Sequence, residues 1–284
     1  MKRKDITFYE RLTEEFIAWA QQAADIEVAY IIGSRAREDH FADEWSDMDI
    51  FMVASEPRRY LDDAGWLSRF GNILCSFTMD TVGGTEERLV LFEGGHQADF
   101  VVLPAASMDE LVKANKKLEI FSRGAKVLVD KKDISKYILP QEFHAPAAFP
   151  LTQQNFLYTC NTFWFSVYYV ARQILRNELW VAKARDADVK AILLQMIEWY
   201  EKAANGAGYD TWHAGRFIGE WASADVMESV ARCFGRFDIA DSFCALMETV
   251  ALFKRLSHSL AQINGYAASE AQAFVEQWLT VYQP

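Results

Sequence analysis

Apolar residues near the start of the chain recur at helical spacing. Phe8, Leu12, Phe16 and Trp19 lie three and four apart, which predicts an amphipathic helix over residues 7–24. The pattern then changes to short apolar runs. Val28–Ile32 (VAYII) reads as a strand that stops at Gly33-Ser34-Arg35. A polar, acidic loop follows, and residues 47–53 (DMDIFMV) read as a second strand. Residues 88–92 and 98–103 read as two more, joined through Glu93-Gly94-Gly95-His96, whose glycines suit a hairpin turn. Residues 125–129 are a candidate fifth strand, preceded by a helix around Met108–Lys116. From Lys131 to Pro150 the chain is loop-like, with prolines at 140, 146 and 150, and a domain boundary is expected near 140. Beyond it the pattern is helical. Val189, Ile192, Leu193, Met196, Ile197 and Tyr200 follow a 3-1-3-1-3 spacing, and Leu246, Val250, Phe253 and Leu260 mark another helix. The expected fold is α+β: a domain over 1–140 with a mixed sheet of about five strands, then an all-helical domain over 141–284.

Composition narrows the class. Hydrophobic residues make up 51% of the chain, enough for a real core. The four cysteines are scattered with no C-x-x-C pair, which suits reduced, mostly buried thiols of a cytoplasmic protein. The opening MKRKDITFYE lacks an apolar core, so no signal peptide is expected. The longest stretch free of Asp, Glu, Lys and Arg, residues 143–171, carries two prolines and several Asn and Gln, a poor membrane span. The balance of 29 Lys+Arg against 40 Asp+Glu gives a net charge of −11. That sign opposes nucleic-acid binding, and the Lys-Lys pairs at 116–117 and 131–132 are too few for a phosphate-tracking patch. It suits a cationic small molecule, or simply keeps the protein soluble, the default reading until a site is found. The five histidines show no metal-ligand spacing, and His96 in its glycine turn is expected at the surface.

Three carboxylates stand out. Asp47 and Asp49 are two apart at a strand start, so both point to one side of the sheet. Asp99 interrupts another apolar strand, where a buried carboxylate is costly unless something pairs with it. A hard divalent cation would do so, and three acids can hold two metals about 3.5–4 Å apart for displacement at phosphorus. Gly33-Ser34-Arg35 follows a strand directly. Glycine lets backbone approach a phosphate, the Ser34 hydroxyl and free N–H groups can bind its oxygens, and Arg35 offers a fork of donors. Each element alone is weak. Their order, strand, Gly-Ser, strand with D-x-D, later strand with Asp, resembles the nucleotidyltransferase fold of the DNA polymerase beta superfamily.

The likeness is finer still. The runs Tyr30–Arg35, Trp45–Ile50, Leu91–Pro104, Asn161–Trp164 and Leu175-Arg176-Asn177-Glu178 resemble the bacterial aminoglycoside 6-adenylyltransferases, the streptomycin-modifying family, over nearly the whole chain. Departures fall at Ala36–His40, at Trp199-Tyr200 and at Gly215-Arg216-Phe217, and touch the acceptor side rather than the phosphate machinery. The resemblance implies AMP transfer from Mg-ATP to a hydroxyl of a streptomycin-like aminoglycoside, with pyrophosphate released. It implies Asp47, Asp49 and Asp99 at magnesium, with Asp99 a second-metal ligand or a general base, and Gly33, Ser34 and Arg35 at the phosphates. Helical spacing predicts one helix over Asn155–Glu178, with Asn177 on an uncharged polar stripe. Glu178 either binds a substrate cation, pairs with Arg172 or Arg176, or is solvated at the helix end. Trp164, 14 residues from Glu178, is expected in the core. ATP and a cationic aminoglycoside are the expected partners of a monomer or homodimer, with no nucleic acid and no membrane. The alternatives are another acceptor, a lincosamide or a protein hydroxyl, and a silent nucleotide-binding regulator, against which the intact acids argue.

Overall fold

The computed structural model describes residues 7–81, 83–114 and 116–284. Residues 1–6, where no leader was expected, and Asn115 in the expected 108–116 helix lie outside the described residues, as does Val82. The chain divides into two compact units at Ala147/Ala148, seven residues beyond the expected 140/141 boundary.

The first unit is built on a six-stranded mixed sheet. Its strands are β1 (Ile26–Ile32), β2 (Met48–Ala54), β3 (Ile73–Asp80), β4 (Glu86–Phe92), β5 (His96–Pro104) and β6 (Lys126–Asp130), in the order β3-β4-β5-β2-β1-β6. Only the β2–β5 pair is parallel. The expected five strands are present, and β3 is an addition. Central β1 and β2 are buried on both faces, as their unbroken apolar runs require. The β4–β5 hairpin turns on Gly94 and Gly95, both at positive φ (87° and 82°).

Each face of the sheet carries its own core. Helix α1 (Thr7–Gln22) lays Leu12 and Phe16, both fully buried, on one face with Ile50, Phe100 and Trp66. The short α2 (Arg58–Leu61) closes that side. On the other face Tyr30, Phe51 and Val101 pack with Met108 of α3 (Ala105–Lys113), Phe121 and Ile138 of α4 (Ser135–Ile138).

The second unit is all helical: α5 (Gln153–Leu175), α6 (Leu179–Asn205), α7 (Ile218–Trp221), α8 (Ala224–Arg232), α9 (Ile239–Asn264) and α10 (Ala271–Val281). Thr152 and Asp238 cap α5 and α9 by accepting the amides of Asn155 (3.1 Å) and Asp241 (2.9 Å). Trp164 lies in the core, 1% exposed, and Phe163 stacks on Phe253 at 3.5 Å. The single helix expected to reach Glu178 instead ends at Leu175. Asn177 takes a left-handed conformation (φ 59°), and the Glu178 amide donates back to Gln173 O at 2.9 Å. That is the hydrogen-bond signature of a helix stop, with Asn in the place usually given to glycine.

Two further expectations are corrected. His96 is 5% exposed rather than solvated, because its ring stacks on Phe8 at 4.2 Å. Of the four cysteines, all unpaired, Cys160 and Cys233 are buried but Cys75 and Cys244 are exposed. Among the described residues no helix is long and apolar enough to cross a membrane.

Candidate active site

The sheet register assembles the acids. Antiparallel pairing sets Ile32, the last residue of β1, opposite Asp49, and parallel pairing sets Asp49 opposite Asp99. Residues opposite one another share a face, so both carboxylates project from the same side. Asp47, just before β2, joins them. One carboxylate oxygen from each of the three lies within 4.8 Å of the others. Each residue is partly exposed, so the cluster is open to a ligand. Close packing of like charge has a cost. Burial first, then the charges of Asp47 and Glu87, push the Asp99 carboxyl up to about 7. All-oxygen donors in a cluster that resists full ionisation fit a hard divalent cation such as magnesium.

Gly33 is bound to this cluster by geometry. Its φ is +67°, and a Cβ built there would stand 2.2 Å from Asp49 Oδ2. Only glycine satisfies both conditions. Ser34 is the middle residue of a single 3-10 turn (Gly33–Arg35) whose end is tied by the Ala36 amide donating to Gly33 O at 3.1 Å. The Ser34 side chain is buried, and its Oγ has no hydrogen-bond partner. An orphaned buried hydroxyl, next in the chain to the glycine that packs on Asp49, is a group that a ligand oxygen would satisfy.

Arg35 is engaged within the protein. It donates from Nε to Asp47 O at 2.7 Å and from a terminal nitrogen to Ser46 O at 2.9 Å. Its guanidinium lies 3.6 Å above the Tyr9 ring. The Tyr9 hydroxyl donates to Gln97 O and accepts from Gln97 N, both at 3.2 Å, at the start of β5. Tyr9 and Arg35 therefore link α1, the strand mouth that carries Asp99 and the loop that carries Asp47. Asp43 stiffens the same loop, accepting from the Trp45 amide (2.9 Å) and the Ser46 hydroxyl (2.8 Å). A cavity of about 500 Å³ opens at this turn, with Ser34, Arg35, Arg37 and Lys126 in its wall beside Glu10 and Glu14; the three acids do not line it. Tyr9, Arg37, Phe41 and Lys126 carry no motif of their own, and sequence reasoning passed over them.

Asn177 and Glu178 belong to the helical unit. Both are exposed, and among the described residues Glu178 forms no ion pair with Arg172 or Arg176.

The sequence has known relatives. A family model described as streptomycin adenylyltransferase matches residues 7–281. The chain belongs to the streptomycin adenylyltransferase family. It is 23% identical to an aminoglycoside 6-adenylyltransferase of Bacillus subtilis over 90% of this chain and 91% of that one. It is 22% identical to one of Staphylococcus aureus over 94% and 95%. A crystal structure of the aminoglycoside 6-adenyltransferase from Bacillus subtilis aligns over 99% of this chain and 98% of its own, with 17% identity and a TM-score of 0.45. As a member of the streptomycin adenylyltransferase family the chain is a nucleotidyltransferase.

Proposed function

We propose that this nucleotidyltransferase moves AMP from Mg-ATP to a hydroxyl of a streptomycin-like aminoglycoside and releases pyrophosphate, acting in the cytoplasm where ATP is available. The observation that carries it is the convergence of Asp47, Asp49 and Asp99 within 4.8 Å, with Gly33 of the Gly-Ser turn packed on Asp49. The aminoglycoside acceptor comes from the relatives' names.

Asp47, Asp49 and Asp99 would hold magnesium, which supplies charge neutralisation of the triphosphate and polarises the phosphorus under attack. Ser34 Oγ and the turn's amides would bind phosphate oxygens. Arg35 holds the Asp47 loop in register and leaves the phosphates to these groups. The acceptor hydroxyl forms a bond to the α-phosphorus as the bond from that phosphorus to the bridging oxygen breaks. Pyrophosphate leaves with the electron pair. Asp99, whose carboxyl burial pushes up to about 7, takes the hydroxyl proton at a carboxylate oxygen, whether or not its other oxygen binds metal. Little covalent work falls to the protein, so positioning and charge dominate the rate.

Pyrophosphate release from Mg-ATP across a panel of aminoglycosides and lincosamides tests this. Release with streptomycin, reduced by about 10²–10³-fold or more in Asp49→Asn, is the expected result. Release only with a non-aminoglycoside would remove the acceptor from the reading, and ATP binding without release would remove the reaction.

A further inference from the structure

Strand β4 begins with three charged residues, and the pleat sends them to different places. Glu86 pairs with Arg58. Arg88 is buried and donates to the carbonyls of Tyr60 (3.0 Å) and Leu61 and to the Ser76 hydroxyl (3.0 Å). Glu87 faces the opposite side of the sheet, the side that carries the acids.

The register shows what surrounds it. One row across the sheet reads Ile32, Asp49, Asp99, Leu89, Phe77. The next reads Tyr30, Phe51, Val101, Glu87, Met79. In that second row Tyr30, Phe51 and Val101 are buried with Phe121 and Met108, and the cover ends there. Glu87 is half-buried at the edge of this apolar layer. Among the described residues it accepts no hydrogen bond and forms no ion pair. It stands on the strand diagonal from Asp99, about 7–8 Å away between backbones. Beyond it Phe77 and Met79 are apolar yet 54% and 49% exposed. An apolar strand face left in water next to a partnerless carboxylate is an arrangement that a ligand with both characters would satisfy.

We propose that Glu87 recognises a cationic nitrogen of the acceptor, while Leu89 and Phe77 form the apolar surface against which the adjoining ring rests. The proposal deepens the function proposed above and rests on it. An aminoglycoside carries hydroxyls and cationic nitrogens a few ring bonds apart. With one hydroxyl presented to Asp99, a nearby nitrogen falls at the neighbouring strand, where Glu87 supplies the counter-charge. The carboxylate then selects acceptors with a cation beside the reacting hydroxyl, and a neutral polyol lacks the group that would offset the burial of Glu87.

Steady-state pyrophosphate release by the full chain with Mg-ATP and an accepted aminoglycoside tests it. Glu87→Gln keeps the shape and removes the charge. It should raise the acceptor KM about 10- to 100-fold and leave the ATP KM within about twofold. Its melting temperature should be equal or higher, since a desolvated charge is lost. Acetylating the acceptor's amines should raise the KM of the wild type but leave that of Glu87→Gln nearly unchanged. Phe77→Ala, at an exposed position, should raise the acceptor KM by about 5- to 10-fold without a change in melting temperature. An unchanged acceptor KM in Glu87→Gln, or an equal rise in the ATP KM, overturns the proposal while the function stands. No release by the wild type with any aminoglycoside overturns the function and this proposal together.

Discussion

One methyl group at position 33 should disturb the acid cluster. In Gly33→Ala the new Cβ would meet Asp49 Oδ2 at 2.2 Å while the backbone stays at a φ of +67°. Either the carboxylate moves or the turn does. The strain of a left-handed alanine should lower the unfolding free energy by about 1–2 kcal/mol. A displaced acid should lower turnover by about 10²-fold, the usual cost of a small misplacement. Urea unfolding and pyrophosphate release measure the two separately. Ser34 should behave in the opposite way. Its buried hydroxyl lacks a partner in the free protein, so Ser34→Ala should leave the melting temperature equal or slightly higher. Its loss should appear with nucleotide bound, as a rise of about tenfold in the ATP KM. A Ser34→Ala protein that is destabilised and binds ATP normally would show the hydroxyl to be structural.

At the scale of elements, the Tyr9–Arg35 link joins three segments far apart in sequence, and the role proposed for Arg35 is to position the Asp47 loop. Arg35→Lys keeps the charge and loses the fork that reaches both Ser46 O and Asp47 O. Turnover should fall about 10- to 100-fold with the ATP KM little changed, and the Asp43–Ser46 loop should become more open to protease. A rise confined to the ATP KM would return Arg35 to the phosphates. Such links explain what was and was not legible beforehand. Asp47, Asp49, Asp99 and Gly33-Ser34 were legible because they interrupt or end apolar strands. The Tyr9 contact was not, because Tyr9 lies 26 positions from Arg35 on a helix whose visible signal is its buried stripe. Strand β3 alternates Cys75, Phe77 and Met79 with Ser76, Thr78 and Asp80, so its signal was present. That alternation is weaker than the continuous apolar runs of the central strands, and its apolar side faces out rather than into the core. The break after Leu175 carries no glycine or proline. Asn177 adopts the left-handed bend that the Gln173 carbonyl completes, a choice made by the fold over local propensity.

At the scale of the whole molecule, the excess of acids has a consequence for stability with pH. Burial raises two carboxyls in separate units to about 7: Asp99, also beside Asp47 and Glu87, and Glu198 on α6, where Lys202 and the Gln195 amide only partly oppose the shift. Each binds its proton more tightly folded than unfolded. The stability each contributes is therefore full below the unfolded carboxyl pKa and is lost as pH rises through about 7. Carboxyls held low, such as Asp225 by its hydrogen bond from Arg255, act in the other direction, but only at more acid pH, where they titrate. Between pH 5 and 8 these two groups, with Glu87, which burial also raises, set the carboxylate slope. The melting temperature of the metal-free protein should fall by several degrees across that interval. The two contributions are separable. Magnesium at pH 8 should restore the part due to Asp99, since a cation replaces the proton, and should do little in Asp49→Asn. Glu198→Gln should remove its own part of the slope and leave the magnesium response intact. A metal-free melting temperature that rises from pH 5 to 8 would contradict the burial of both carboxyls. A Glu198→Gln slope equal to that of the wild type would place the whole effect at the acid cluster.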